Sequence, residues 1–188
     1  MLTTLTVILV IVAVAILGLI AYAATRPDTF EMTRSMNINS RPEEIFPLIA
    51  NLRVMDKWNP FVKADPAIKL TYSGPESGVG ATNVFEGNNK VGSGSIAITE
   101  AAAPSKIVMQ LDMIKPMRAH NRVDFTLVPR GDTTNVTWTM SGRQPLIAKV
   151  MTIFIDCDKM VGGQFEKGLA DLKAIAESKA SLNLLATG

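Results

Sequence analysis

The sequence predicts an α+β domain: an antiparallel sheet covered by one long C-terminal helix, set behind a single apolar N-terminal helix. Three observations carry this. Leu5 to Ala24, LTVILVIVAVAILGLIAYAA, contains no charge. From Ile68 to Met140 apolar residues recur at every second position in about six runs, the period of strands with one buried face. From Val161 the spacing turns helical, with Phe165, Leu169, Leu172 and Ile175 or Ala176 on one stripe. Runs of strands flanked by helices indicate α+β rather than alternating α/β.

The first segment has the length of a membrane span. Twenty helical residues at ~1.5 Å each reach ~30 Å, the thickness of a bilayer's hydrocarbon core. Such a helix satisfies its own backbone in lipid. Tyr22 suits an interface, and Arg26-Pro27 closes the run. The rival reading is a signal peptide cleaved near Ala23, since Ala21-Tyr22-Ala23 fits a small-x-small site. The long apolar run and the lack of a preceding Lys or Arg favour a retained single-pass anchor. Arg26, Arg34 and Arg41 follow the span, which by the positive-inside rule places the domain in the cytoplasm. The expected plan is an anchor over 1–25, a linker over 26–31, the domain over 32–180 and a loose tail over 181–188.

Met32 to Ile38 reads as a strand. In NSRPEEIFPLIANL, Ser40 suits an N-cap, Pro42 the first turn, and Glu43-Glu44 the positive helix end. Ile45, Leu48, Ile49 and Leu52 recur at helical spacing, with a bend expected at Pro47. MDKWNP reads as a further short turn of helix stopping before Pro60. Strands follow around Ile68–Tyr72, Val84–Glu86, Ile96–Ile98, Ile107–Ile114, Val123–Leu127 and Val136–Met140. EGNNK reads as a hairpin turn, AAAPS as a break and PRGD as another turn. Gly92-Ser-Gly94 and Gly78-Val-Gly80 lack the strand–loop–helix setting of a phosphate cradle and read as bends or bulges. Gly162-Gly163 suggests a bend or a close approach to the sheet, and Gly168 close packing.

Charge gives no sign of nucleic-acid binding. The net charge of +2 is spread over interspersed acidic and basic residues. The single Cys157 precludes an intrachain disulfide. Asp156, Cys157 and Asp158 complement a helix N-terminus and are too few for a metal site; no metal and no cofactor are indicated. His120, the one histidine, sits near Arg118 and Arg122, which oppose its protonation. It lacks a sequence-marked nucleophile. Asp112 and Asp124 alternate out of phase with Met113 and Phe125 and should face solvent.

Four segments together resemble the START-like (SRPBCC) superfamily, of the polyketide cyclase/dehydrase and lipid-transport type. They are SRPEEIFPLIANLRVMDKWNPF, GATNVFEGNNKVGSGSIAITE, KPM through VDFTLVPRGDTTNVTW, and MVGGQFEKGLADLKAIAE. The resemblance spans about Thr33 to Ser178 and implies a helix-grip fold. In that fold about seven antiparallel strands curve around the C-terminal helix and enclose an apolar cavity. The cavity lining it implies is Trp58, Phe61, Phe85, Met109, Leu111, Met113, Phe125, Trp138, Met140 and Phe165. Trp58 also reads as a core plug, since buried aromatic residues mostly serve packing. Met109, Met113, Met117, Met140, Met151 and Met160 suit either an adaptable pocket or plain core.

Three functions remain open on the sequence. The first is a membrane-tethered domain holding a small apolar or amphipathic molecule such as a lipid, isoprenoid or polyketide-like compound, with residues 5–24 in the bilayer. The second is a cyclase, dehydratase or hydrolase on the same fold, for which His120 and Glu86 are the nameable candidates, although no catalytic constellation is visible. The third is a regulatory interaction domain without a ligand. Oligomeric state is not readable.

Overall fold

A computed structural model describes residues 2–154 and 156–186, with side chains through Ser178. The first helix, α1, runs Leu2–Ala24, and strand β1 follows at Thr29–Ile38. Three short helices come next: α2 (Pro42–Ala50), α3 (Leu52–Met55) and α4 (Pro60–Lys63). The remaining strands are β2 (Lys69–Ser73), β3 (Thr82–Glu86), β4 (Ser93–Ala102), β5 (Lys106–Lys115), β6 (Ala119–Arg130) and β7 (Thr133–Arg143). Two helices close the chain, α5 (Leu146–Phe154) and α6 (Cys157–Ala186).

The strands form one antiparallel sheet in the order β1-β7-β6-β5-β4-β3-β2. The three short helices carry the chain from one edge strand, β1, to the other, β2. Curvature has a local cause. The β4–β5 ladder slips register at Ser93/Gly94 and again at Ile98/Glu100, and an extra residue bends its strand. Gly92 has φ +79°, and β-carbons on Gly92 or Gly94 would collide with the carbonyls of Lys115 or Asp112. The bend expected from Gly-Ser-Gly is therefore a bulge that needs both glycines.

The sheet's inner face meets α6 through Phe165, Leu169, Leu172 and Ala176, all buried. Gly168 lets the helix come close: a β-carbon there would lie 2.8 Å from the Trp138 ring and 2.9 Å from Pro60. Gly162 faces the Arg34 guanidinium, which bridges Asp158 and Glu166, both at 2.8 Å. Arg34 thus pins the first turns of α6 to β1.

Several local expectations shift. Ser40 is not the N-cap of α2; Arg41 holds that position, and the Ser40 hydroxyl instead donates to Glu44 at 2.7 Å. Pro60 starts α4 rather than ending a helix, because Asn59 caps it by accepting from the Phe61 N–H at 3.0 Å. The residues expected as linker are partly β1, which begins at Thr29. The expected tail lies within α6 up to Ala186, and its last two residues lie outside the described residues. Helix α5 has no counterpart in the sequence reading.

The glycines of α6 make opposite predictions. Gly163 has open space where a β-carbon would go. Gly163→Ala should stabilise the protein by up to about 1 kcal/mol through helix propensity. Gly168→Ala should destabilise it, because overpacking costs about 1–3 kcal/mol and exceeds that gain. Chemical denaturation of the full chain in detergent measures both; two shifts of the same sign would refute this packing of α6.

Candidate ligand cavity

The space between sheet and α6 is divided by register. One row across the sheet is Trp138, Phe125, Ile107; the next is Met140, Val123, Met109, Ile98. Further along comes Asn121, Leu111, Ile96, Asn83, and last Met113 with Gly94 and Phe85. Phe125, Ile107, Met109 and Ile98 of the first rows are buried in the core with Ile38, Leu127 and Val136, while Trp138, Met140 and Val123 lie at its border with the hollow. The later rows border a cavity of about 270 Å³. Phe61, Met140, Val161 and Phe165 complete its apolar wall.

An aromatic cluster separates the two regions. Trp138 stacks on Phe165 with ring centres 4.2 Å apart and planes 6° from parallel. Trp58 meets Phe125 and Trp138 edge-on at 6.0 and 5.9 Å. Phe61 meets Phe165 edge-on at 6.3 Å.

Of the ten residues expected to line a cavity, seven do: Phe61, Phe85, Leu111, Met113, Trp138, Met140 and Phe165. Trp58, Met109 and Phe125 do not; they are fully buried in the packed half of the interior. Trp58 is the core plug, its indole N–H donating to the Leu48 carbonyl at 2.9 Å. Met113 and Met140 reach the cavity, whereas Met117, Met151 and Met160 are exposed. His120 is four-fifths exposed and lies 2.7 Å from Asp112, and Glu86 is also exposed; neither borders the cavity. Asp124 pairs outward with Arg122 at 2.8 Å. Among the described residues no group of three metal-ligating side chains occurs.

The cavity also has a polar side that the sequence reading missed. Asp56, Asn59, Asn83 and Asn121 belong to its wall. Asp56 accepts from the Tyr72 hydroxyl at 2.7 Å and the Asn83 amide at 2.8 Å. Burial nevertheless raises the Asp56 carboxyl above the usual aspartate range, outweighing these bonds. Burial, then the bond to Asp56, raises the Tyr72 phenol, while Arg53 lies 4.0 Å over its ring. The Oδ1 atoms of Asn83 and Asn121 and the indole N–H of Trp138 are buried without a hydrogen-bond partner. A signal existed: Asn83 shares the inward phase of Phe85, and Asn121 that of Val123.

A curved antiparallel sheet, a long C-terminal helix and an apolar hollow between them match a known family. Residues 29–177 fit the model of the polyketide cyclase / dehydrase and lipid transport family. The chain belongs to this family. It is a START-like domain with the helix-grip fold. Solved structures agree on the fold. Norcoclaurine synthase from Thalictrum flavum, in complex with dopamine and hydroxybenzaldehyde, is 11% identical, with TM-score 0.61 over 80% of this chain and 87% of that one. Mll3558 from Rhizobium loti is 19% identical, with TM-score 0.56 over 76% and 96%. The Aha1 dimer from Colwellia psychrerythraea is 19% identical, with TM-score 0.54 over 77% and 93%. No curated protein matches the sequence.

The raised Asp56 carboxyl gives this START-like domain a pH signature. The folded chain holds that proton more tightly than the unfolded chain, whose aspartates titrate near about 3.9. Stability owed to the protonated form is present in acid. It is lost as pH rises from the unfolded value through the raised folded one. Wild type relative to Asp56→Asn should therefore be most stable in acid and lose ground toward neutrality in thermal unfolding of the full chain. A difference independent of pH would contradict this.

Proposed function

We propose that this chain is a membrane-tethered START-like domain that holds a small apolar or amphipathic molecule in the cavity beneath α6. The cavity itself carries the reading. Native interiors are close-packed, so a lined hollow of about 270 Å³ forgoes contacts that a solid core would have made. A ligand restores them, gaining about 25 cal/mol for each Å² of apolar surface removed from water. The aromatic rings and the thioethers of Met113 and Met140 adapt to varied apolar shapes. Asp56, Asn59, Asn83 and Asn121 give one polar side, which suits a ligand carrying a hydroxyl or carbonyl on an apolar body.

The tether rests on α1. Thr3–Ala24 is long and apolar enough to cross a membrane, and the domain covers almost none of it. Tyr22 and Arg26 stand at its end, with the guanidinium 5.3 Å from the ring centre, a pairing suited to an interface.

Filling the hollow tests the binding reading. Leu111→Trp puts an indole into the cavity from a position already half-buried on its wall. Native mass spectrometry of the detergent-solubilised full chain should show an apolar adduct on wild type and at least about tenfold less on the variant, a loss of ~1.4 kcal/mol or more. Equal retention by both would defeat the reading.

One observation favours a second reading, an enzyme of the cyclase or dehydratase kind. Asp56, whose carboxyl is raised by burial, borders the cavity, and such groups serve as general acids or bases. On that reading Asp56→Asn lowers turnover of a cavity-bound compound by about 10²–10⁴ while leaving its binding intact. Turnover unchanged in Asp56→Asn removes this residue from the chemistry.

A further inference from the structure

The register shows which end of the sheet the cavity approaches. Thr29 at the start of β1 pairs with Arg143 at the end of β7. The same end of the sheet holds the start of β6, the end of β5, the start of β4 and the end of β3. Helix α1 enters the domain at this end, through Thr29. The rows bordering the cavity also lie toward this end. So do Pro116 in the β5–β6 turn and Lys90 and Val91 in the β3–β4 hairpin, all on the cavity wall. The packed half of the interior lies toward the other end, where β6 turns into β7.

Exposed apolar residues gather at the α1 end. Helix α5 presents Leu146, Ile147, Met151 and Phe154, the last 73% exposed. The β5–β6 turn is flanked by Ile114 and carries Met117. At the far end Val128 is exposed beside the β6–β7 turn. Helix α5 does not dangle. It packs on α1, and Leu19 and Ala23, one turn apart near the end of α1, are the span residues that lose exposure. Lys149 is buried and donates to the Arg26 carbonyl at 2.7 Å and to Asp28 at 2.5 Å. The Gln144 N–H donates to the Asp28 carbonyl at 2.7 Å. These bonds hold α5 beside the last turn of α1, the depth at which a span of this length leaves the hydrocarbon.

Charge fits the same partner. Lys90, Lys115, Arg118 and Arg143 are exposed at this end. Three carboxylates there are engaged, Asp28, Asp112 and Asp156 with Lys149, His120 and Lys159, while Glu31 and Glu86 are exposed. Apolar side chains ringed by basic ones suit the interface of a bilayer containing anionic lipid.

We propose that α5 and the β5–β6 turn form a two-point foot that seats on the bilayer surface beside α1, with the cavity opening toward the lipid. The occupant of this surface is the membrane that holds the tether, so the inference rests on the tether reading. It goes further in assigning a membrane-facing surface and a route: the ligand passes between lipid and cavity with little exposure to water.

Brominated-lipid quenching tests it on the full chain. The native Trp58 and Trp138 are buried and give a constant background. Phe154→Trp and Met117→Trp are placed separately in nanodiscs of phosphatidylcholine and phosphatidylglycerol with acyl-brominated phosphatidylcholine, and Val128→Trp serves as the distal control. Quenching at 154 and at 117 should each exceed that at 128 several-fold. Quenching confined to one of the two positions, or no greater than at 128, overturns the proposal. Alkaline carbonate extraction separates the two readings: a chain that stays with the membrane while its foot is unquenched keeps the tether and loses the foot, and a chain released to the supernatant loses both.

Discussion

The stack of Trp138 on Phe165 sets the shape of everything around it. It fixes where α6 lies on the sheet, because the helix cannot approach closer than two rings in contact, 4.2 Å between centres. Gly168, less than one turn onward, removes the β-carbon that would push the helix away. On the side of Leu169, Leu172 and Ala176 the helix settles onto the packed core. On the side of Val161, Arg34 pins the helix to β1, and the same rings border the hollow that extends under β3 to β5. The hollow thus lies between one tight contact and the bulged β4, beside a core that is otherwise packed.

This geometry separates what the sequence could show from what it could not. The strands were legible because alternation is a property of each strand alone, and five of the expected wall residues, Phe85, Leu111, Met113, Trp138 and Met140, reach the cavity for the same reason. Depth was not legible. Met109 and Met113 have the same inward phase on β5, yet Met109 is packed solid and Met113 borders the hollow. Their difference lies in which cross-strand row meets the aromatic cluster, and register is a relation between strands. Trp58 failed as a wall residue for a related reason: its indole N–H found the Leu48 carbonyl inside the core.

The missed features share a cause as well. Asn83 and Asn121 interrupt an apolar phase, and a polar residue on an inward face of a strand signals a cavity or a network. Asp56 lies within MDKWNPF, in the turn after α3, where no strand or helix period assigns a side chain to the interior. Helix α5 was not legible because it is only nine residues long and has neither an acidic first turn nor a basic last turn to mark its ends. Its meaning depends on α1, more than a hundred residues earlier in the chain. Lys149 shows the dependence most directly: a buried lysine has no rationale in its own segment and a full one beside Arg26 and Asp28.

On the proposed tether reading, placing the hollow and α1 at one end of the sheet has an energetic consequence. A ligand burying about 200–300 Å² of apolar surface is about 5–8 kcal/mol less stable in water than in lipid or protein. A soluble carrier meets that difference as a barrier at each entry and exit, and the barrier slows exchange by a factor of several thousand or more. A cavity whose mouth touches the bilayer lets the ligand exchange one apolar surrounding for another while little of it is wetted at any moment. The polar side of the wall then matters more than the apolar one for selection, because lipid and cavity solvate a hydrocarbon alike, whereas only the cavity offers Asp56, Asn83 and Asn121 to a hydroxyl or carbonyl. Affinity from burial largely cancels when the reservoir is a membrane, and what remains is hydrogen bonding and shape.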